Sequence, residues 1–203
     1  MQIPKEDTRE RILTEAEKIF LEKDFNKASM REIAVASRTG LSNIYNYFPS
    51  KDHIFAEIVK PVARAFEEML QEHHGHQGAD IMEMYSESYF RYVVDEYLVL
   101  LHRHRKLLVL LLFRARGSSL ERFREEFTDR STLVVKRYFR DMKLKHPRVN
   151  VNVSDFMIHL HTVWMFTLFE ELLMHKLKPK EVEQVIREYI TFEVIGWREL
   201  IEI

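Results

Sequence analysis

Residues 39–51 read Thr39-Gly40-Leu41-Ser42-Asn43-Ile44-Tyr45-Asn46-Tyr47-Phe48-Pro49-Ser50-Lys51. We predict a helix over about 40–48, because Ile44 and Phe48 lie four residues apart and share one face of such a helix. Pro49 ends it, since proline lacks a backbone N–H and disfavours helical geometry in the residue before it. Ser50 is then placed to cap the next helix.

A second short helix is predicted directly before this one. Ser29 and Glu32 have the spacing of a capping box, so the helix begins at Met30. The turn between the two helices falls at 37–39. Two short helices in tandem, with polar and aromatic residues on the exposed side of the second, are typical of a helix-turn-helix that reads DNA.

The chain resembles the TetR family of transcriptional regulators over about residues 8–56. The resemblance is carried by Ile12-Leu13-x-x-Ala16-x-x-x-Phe20, by Ser29-Met30-Arg31-Glu32-Ile33-Ala34, and by Ile44-Tyr45-Asn46-Tyr47-Phe48-x-x-Lys51 followed by Phe55. Asp24 and Arg38 depart from the pattern, because they stand where the family commonly has glycine. A left-handed backbone there is tolerated moderately well by Asp and costs Arg ~1 kcal/mol.

The rest of the chain predicts helix almost throughout. Its 203 residues contain five glycines and five prolines, and no run alternates with period two. We therefore predict an all-α fold, with residues 1–50 as a three-helix helix-turn-helix domain and residues 51–203 as a helical bundle for ligand binding and dimerisation. The predicted helices are 8–23, capped by Asp7, then 51–72, kinked at Pro61, then 79–103, 104–115, 119–144, 155–176 and 179–201.

The side chains around the second short helix predict the DNA contacts. Tyr45, Tyr47 and Lys51 suit phosphate oxygens, as does the helix start at Ser29. Asn can pair with adenine and Leu can meet a thymine methyl group, so the exposed side of the helix suits base edges. Packing within the small domain is the alternative for Tyr45 and Tyr47. The predicted set is Ser29, Arg38, Thr39, Gly40, Leu41, Ser42, Asn43, Tyr45, Asn46, Tyr47 and Lys51.

The last two predicted helices are apolar nearly all round. A helix at the edge of a monomer of this size should have a polar back. An apolar back predicts a second partner, which a twofold homodimer supplies. The alternative is that both helices lie centrally in one core. The resemblance also implies a homodimer, because family members dimerise through their last two long helices.

The resemblance implies a small-molecule pocket in the middle of the bundle. Candidate lining residues are Tyr89, Tyr97, Phe113, Phe139, His159 and Trp164, and plain core packing is the alternative for each. A loop is predicted to hold His73, His74 and His76, where a solvated polar loop is favoured over a metal site. No His-Glu-x-x-His motif occurs, so neither a metal nor another cofactor is predicted.

Composition excludes several classes of function. The net charge of −1 is unlike that of a basic DNA-coating protein, although residues 25–53 hold four cations and two carboxylates. The absence of cysteine excludes disulfides, thiolate metal sites and cysteine nucleophiles. Residues 1–11 lack the apolar core of a signal peptide. The longest apolar run, 107–113, is far shorter than the ~20 residues that span a bilayer. These features predict a cytoplasmic protein without a membrane partner.

Taken together, the sequence predicts a ligand-responsive transcriptional repressor that binds a pseudo-palindromic operator as a homodimer and responds to a small-molecule effector. The alternative is a helical small-molecule-binding protein without a role in DNA regulation. An enzyme is not predicted, because the chain has no Gly-rich phosphate loop, no Gly-x-Ser-x-Gly motif and no metal-ligand spacing.

Overall fold

The computed structural model describes residues 5–202. Within that range the secondary structure is helical, without a β-strand, as the sequence predicts. The helices are α1 Lys5–Lys27, α2 Met30–Ala36, α3 Leu41–Ile44, α4 Lys51–His74, α5 Glu87–Arg103, α6 Arg105–Phe113, α7 Phe123–Lys145, α8 Asp155–Met174 and α9 Pro179–Ile201, with a 3-10 turn at Glu83–Tyr85. None of these helices is long and apolar enough to cross a membrane.

The described chain divides into two compact units. The first comprises the chain up to Arg64 together with His104–Phe123, and the second comprises Ala65–Arg103 and Arg124–Ile203. One boundary therefore lies inside α4, so that helix contributes residues to both units. This division differs from the predicted one, which places a single boundary after residue 50. The predicted boundary concerns functional domains and stays a prediction.

The core of the first unit is built on α1. Ile12, Ala16 and Phe20 are fully buried, as the apolar stripe of this helix predicts, whereas Ile19 is only half-buried. The Phe20 ring packs edge-on against Phe55 of α4 at 5.2 Å between ring centroids. Such aromatic pairs add to the stability that their buried area already provides. Helix α2 packs on α1, and α3 packs on α2.

The segment His104–Phe123 also belongs to the first unit. The backbone N–H of Phe25 donates to the carbonyl of Arg114 at 3.0 Å, and the Arg114 guanidinium pairs with Asp24. The backbone N–H of Ser119 donates to Asp52 Oδ1 at 2.8 Å. The sequence alone assigns this segment to the C-terminal bundle, because nothing in its local pattern reveals these partners.

The core of the second unit has an aromatic centre. Phe66 of α4 is fully buried, and its ring centroid lies 5.1 Å from Phe166, 5.8 Å from Phe127 and 5.8 Å from Phe169. Helices α5 and α9 pack together in the same unit. Close packing of these large rings brings α4, α7 and α8 together.

Several predicted helix boundaries are confirmed and have local causes. Helix α2 begins at Met30 with the Ser29–Glu32 capping box, and α4 begins at Lys51 after Ser50, whose Oγ accepts from the backbone N–H of His53. Ser154 caps α8 in the same way, and Pro179 opens α9. Side-chain caps and proline act within one turn of helix, so the sequence is sufficient to place them.

Other predicted boundaries are wrong. Helix α1 starts at Lys5, so Asp7 lies in its first turn and is not its cap. Helix α3 ends at Ile44, where the N–H groups of Tyr47 and Phe48 both bond to the Ile44 carbonyl in a tight turn ahead of Pro49. Helix α5 starts only at Glu87, because Ser86 Oγ accepts from the backbone N–H of Tyr89 and caps it there.

The segments around α4 and α7 also differ from prediction. Helix α4 extends to His74, so His73 and His74 are helical, and only His76 of the predicted cluster lies in a loop. Helix α7 starts at Phe123 and not at 119, because the Gly117 N–H bonds to Glu121 Oε2 and holds the intervening residues in turns. Helix α4 continues through Pro61.

Candidate nucleic-acid interface and ligand cavity

Helices α2 and α3 form a helix-turn-helix with a compact turn. The chain reverses at Arg38, whose φ of 52° lies in the left-handed region. The Thr39 N–H bonds to the Ala34 carbonyl at 2.8 Å, and Arg11 Nε bonds to the Ser37 carbonyl at 2.7 Å. These bonds satisfy carbonyls at the end of α2, which would otherwise lack partners. The turn thereby sets the direction of α3.

Helix α3 buries one side and exposes the other. Ile44 is fully buried and Phe48 is 4% exposed, so the predicted packing face is confirmed. The opposite side presents five predicted contact residues to solvent, namely Leu41, Ser42, Asn43, Tyr45 and Asn46. The Asn46 amide donates to Asn43 Oδ1 at 3.1 Å, which leaves the Asn43 amide group free to donate. The arrangement offers amide, hydroxyl and apolar groups suited to base edges.

The other predicted contacts have different environments. Arg38 and Gly40 are exposed beside α3, and Tyr47 is half-buried. Thr39 is only 7% exposed, and its hydroxyl donates to the Ser37 carbonyl at 3.3 Å. Ser29 is exposed, but Glu32 already places a carboxylate at the start of α2, where the Ser29 N–H donates to it at 3.0 Å. This local anion disfavours a phosphate at Ser29.

Lys51 is held inside the first unit. Its ammonium donates to the carbonyls of Phe25 at 2.6 Å and Ala28 at 2.8 Å, and it lies 4.2 Å from the centre of the Phe25 ring. Partial burial lowers the pKa of Lys51. Two of its three donors are therefore used at the end of α1, so the geometry favours a positioning role over the phosphate contact that the sequence predicts.

We expect Lys51→Met to lower the free energy of unfolding by about 1–3 kcal/mol, because it removes two charge-assisted hydrogen bonds and leaves two carbonyls unpaired. Chemical denaturation of the purified variants measures the effect. Lys60→Met is the matched control, since Lys60 is an exposed lysine on the same helix, and a change within about 0.5 kcal/mol is expected. Unchanged stability of Lys51→Met with a reduced salt dependence of DNA binding would instead assign Lys51 to a phosphate.

The second unit contains a cavity of about 160 Å³. Cavities of roughly 150 Å³ accommodate a molecule the size of benzene, so this one has room for a small organic ligand. Helix α4 contributes Met69, Leu70, His73 and His74 to its wall, and the remaining lining comes from the region of the 3-10 turn and from α5, α7, α8 and α9. Most of the lining is aromatic or aliphatic, as in other small-molecule sites.

Two histidine–glutamate pairs include residues that line the cavity. His73 Nε2 lies 2.6 Å from Glu96 Oε2, and its Nδ1 faces the Tyr89 hydroxyl. In the second pair, both residues line the cavity, and His161 Nε2 lies 2.6 Å from Glu193 Oε2. His74 lies beside His73, and burial lowers the pKa of His74 to about 3, so its imidazole is neutral at pH 7.

The helix-turn-helix region matches a known family of proteins. Residues 12–58 match the model for bacterial regulatory proteins of the tetR family. Over these residues the resemblance to the TetR family is confirmed. Comparison with curated proteins gives no match.

Solved structures of TetR-family regulators have the same fold. NalD of Pseudomonas aeruginosa, described as the secondary repressor of the MexAB-OprM multidrug efflux pump, is 19% identical over 95% of this chain and 96% of that chain, with a TM-score of 0.61. A TetR-like regulator from Rhodococcus sp. RHA1 is 16% identical over 96% of this chain and 100% of that chain, with a TM-score of 0.63. PfmR from Thermus thermophilus is 21% identical over 96% of this chain and 97% of that chain, with a TM-score of 0.58. At these identities the likeness shows the fold alone.

The two departures from the TetR-family pattern have the predicted backbone geometry. Asp24 has a φ of 67° and Arg38 a φ of 52°, both in the region that favours glycine. The ion pair between Asp24 and Arg114 holds the first of these positions in place. Surrounding contacts of this kind are what allow a side chain to persist in an unfavourable conformation.

Three of the six predicted ligand contacts line the cavity. Tyr89, Tyr97 and Phe139 do so, whereas Phe113, His159 and Trp164 are not among the lining residues. His161 and Trp197 take part instead. The helical period could have indicated His161, since it lies one turn before Met165, which also lines the cavity. The described residues include no cluster of three or more His, Asp or Glu arranged for a metal.

Proposed function

We propose that this TetR-family protein is a ligand-responsive transcriptional repressor that binds pseudo-palindromic operator DNA as a homodimer. The observation that carries the proposal is the exposed side of α3, where Asn43 and its neighbours are exposed while Ile44 and Phe48 anchor the helix. A second reading helix, related by twofold symmetry, would meet the second half-site one turn of DNA away. Action on chromosomal DNA implies a cytoplasmic location.

Exposed apolar side chains support the homodimer. On the second unit, Phe156 is 68% exposed, Phe192 65% and Ile195 48%. All three belong to α8 or α9, the helices whose apolar backs predict a partner. Burial of such a patch against its own copy would stabilise the dimer through the hydrophobic effect.

The position of the cavity supports a response to ligand. Helix α4 carries buried residues of the first unit, such as Phe55, and four cavity residues of the second. A ligand that binds one position of α4 better than another shifts its population toward that position. Such a shift would change the spacing of the two reading helices and lower operator affinity. The description of NalD as a repressor is the support for repression over activation.

The test is an electrophoretic mobility shift with the DNA upstream of the protein's own gene, against random DNA of equal length, at several salt concentrations. We expect selective binding with a steep dependence on salt. Equal binding of both DNAs would contradict the proposal. Absence of binding would favour the alternative, a small-molecule-binding protein without a DNA role.

We expect Asn43→Ala to change base preference by roughly 1–3 kcal/mol at one position per half-site, because it removes an amide from the exposed side of α3. Binding to a library of operator variants measures the change. Arg38→Gln is the control, since it keeps a long polar side chain and removes one cation. It should weaken binding to all DNA and lower the salt slope by about one unit. If Asn43→Ala weakened specific and random binding equally, another side of α3 would be the reading surface.

A further inference from the structure

The described lining of the cavity contains no permanently charged cation. None of the described lining residues is Lys or Arg, and the one carboxylate among them belongs to Glu193. His74 is neutral, and His73 and His161 each lie 2.6 Å from a glutamate, so neither is a free cation. An anionic ligand would therefore enter without a counter-charge, which is costly in a buried site.

Glu193 is only partly satisfied. Its Oε2 accepts a hydrogen bond from Trp197 Nε1 at 3.1 Å and lies 2.6 Å from His161 Nε2. Its Oε1 is buried and has no hydrogen-bond partner among the described residues, although the residue is 8% exposed. A buried acceptor without a donor is destabilising, and more so when it is charged. The free oxygen thus provides an acceptor for a donor carried by a ligand.

Tyr189 lies one helical turn before Glu193 on α9, but it is not among the residues that line the cavity. Burial raises the pKa of Tyr189, with smaller contributions from Tyr97 and Glu193, so its hydroxyl stays protonated. The carboxylate that the lining offers to a ligand is therefore that of Glu193.

The surrounding rings suit a positive charge. Tyr97, Tyr138, Phe139 and Trp197 all line the cavity, and burial raises the pKa of Tyr97, which keeps that ring neutral. The faces of aromatic rings attract cations, and the attraction is stronger where water is excluded. The aromatic wall and the free carboxylate oxygen therefore favour the same class of ligand.

We propose that the cavity binds an organic cation, a protonated amine on an apolar body, whose ammonium group donates to Glu193 Oε1. The body of the ligand packs against the aromatic wall. The proposal rests on the proposed function only in treating this ligand as the effector, because binding to the cavity does not depend on DNA.

The test is isothermal titration of the full-length protein, without DNA, with three probes that share a phenyl ring and fit a cavity of this size: benzylamine, benzyl alcohol and benzoate. We expect the amine to bind most tightly and the carboxylate most weakly. Glu193→Gln keeps the shape of the side chain and removes its charge, and it should weaken amine binding on the order of 10- to 100-fold while leaving the alcohol nearly unchanged. Glu188→Gln, at an exposed glutamate of the same helix, should change neither.

A second readout guards against misfolding of the variant. Circular dichroism and alcohol binding should match the wild type in Glu193→Gln. Carboxylate binding equal to or tighter than amine binding, an amine preference that survives Glu193→Gln, or no amine binding at millimolar concentration would overturn the proposal. Operator binding is measured separately, so its loss would contradict the regulatory function and not the class of ligand.

Discussion

If the protein forms the proposed homodimer, replacing Phe192 with Arg should convert it into a folded monomer. Phe192 is 65% exposed on the subunit, so the charge can stay in water in the monomer but must be buried in the proposed dimer. We expect the dimer dissociation constant to rise ~100-fold or more. Operator affinity should fall by a similar or larger factor, because linking two half-site contacts increases the overall affinity by a factor of about 10²–10⁴.

Sedimentation velocity at micromolar concentration and operator titration measure the two effects. Leu144→Arg is the matched control, since Leu144 is 82% exposed on α7, outside the proposed interface. It should remain dimeric and bind the operator. Ile195→Arg should act like Phe192→Arg, whereas an Arg at the half-buried Leu168 would also disturb the subunit itself. A wild-type monomer at high concentration would contradict the dimer and the palindromic operator together.

Replacing Phe66 with Ala should lower the free energy of unfolding by about 3–5 kcal/mol. Its ring is fully buried and contacts Phe127, Phe166 and Phe169, so truncation leaves a cavity between α4, α7 and α8. Chemical denaturation followed by circular dichroism measures the loss. Leu144→Ala, at an exposed site, should change stability by less than about 0.5 kcal/mol. A loss below about 1 kcal/mol for Phe66→Ala would mean that the neighbouring rings close the gap.

The helix-turn-helix could be predicted from the sequence because its determinants are local. The Ser29–Glu32 capping box and Pro49 act within a few residues of the elements they begin or end. The extent of α3 could not be predicted in the same way. Its last residues form a tight turn on the Ile44 carbonyl, and periodicity does not distinguish such a turn from another turn of helix.

The roles of individual side chains were less predictable than the elements that carry them. Lys51 lies in a motif typical of phosphate contact, yet its ammonium bonds to the carbonyls of Phe25 and Ala28, more than 20 residues away in sequence. Phe113 was expected near a ligand, but it is 38% exposed and its segment belongs to the first unit. Aromatic residues at helical spacing share a face of the helix, but the spacing does not predict which part of the protein or which ligand that face contacts.

The sequence alone predicts the all-α class, the resemblance to the TetR family over residues 12–58 and the starts of α2, α4, α8 and α9, because helical period, caps and proline act over one or two turns. Only the tertiary structure decided that 104–123 joins the first unit and that Glu193 meets His161 at the cavity. These pairings join residues far apart in the chain, and their energies depend on burial and distance in the folded molecule, which no local pattern encodes.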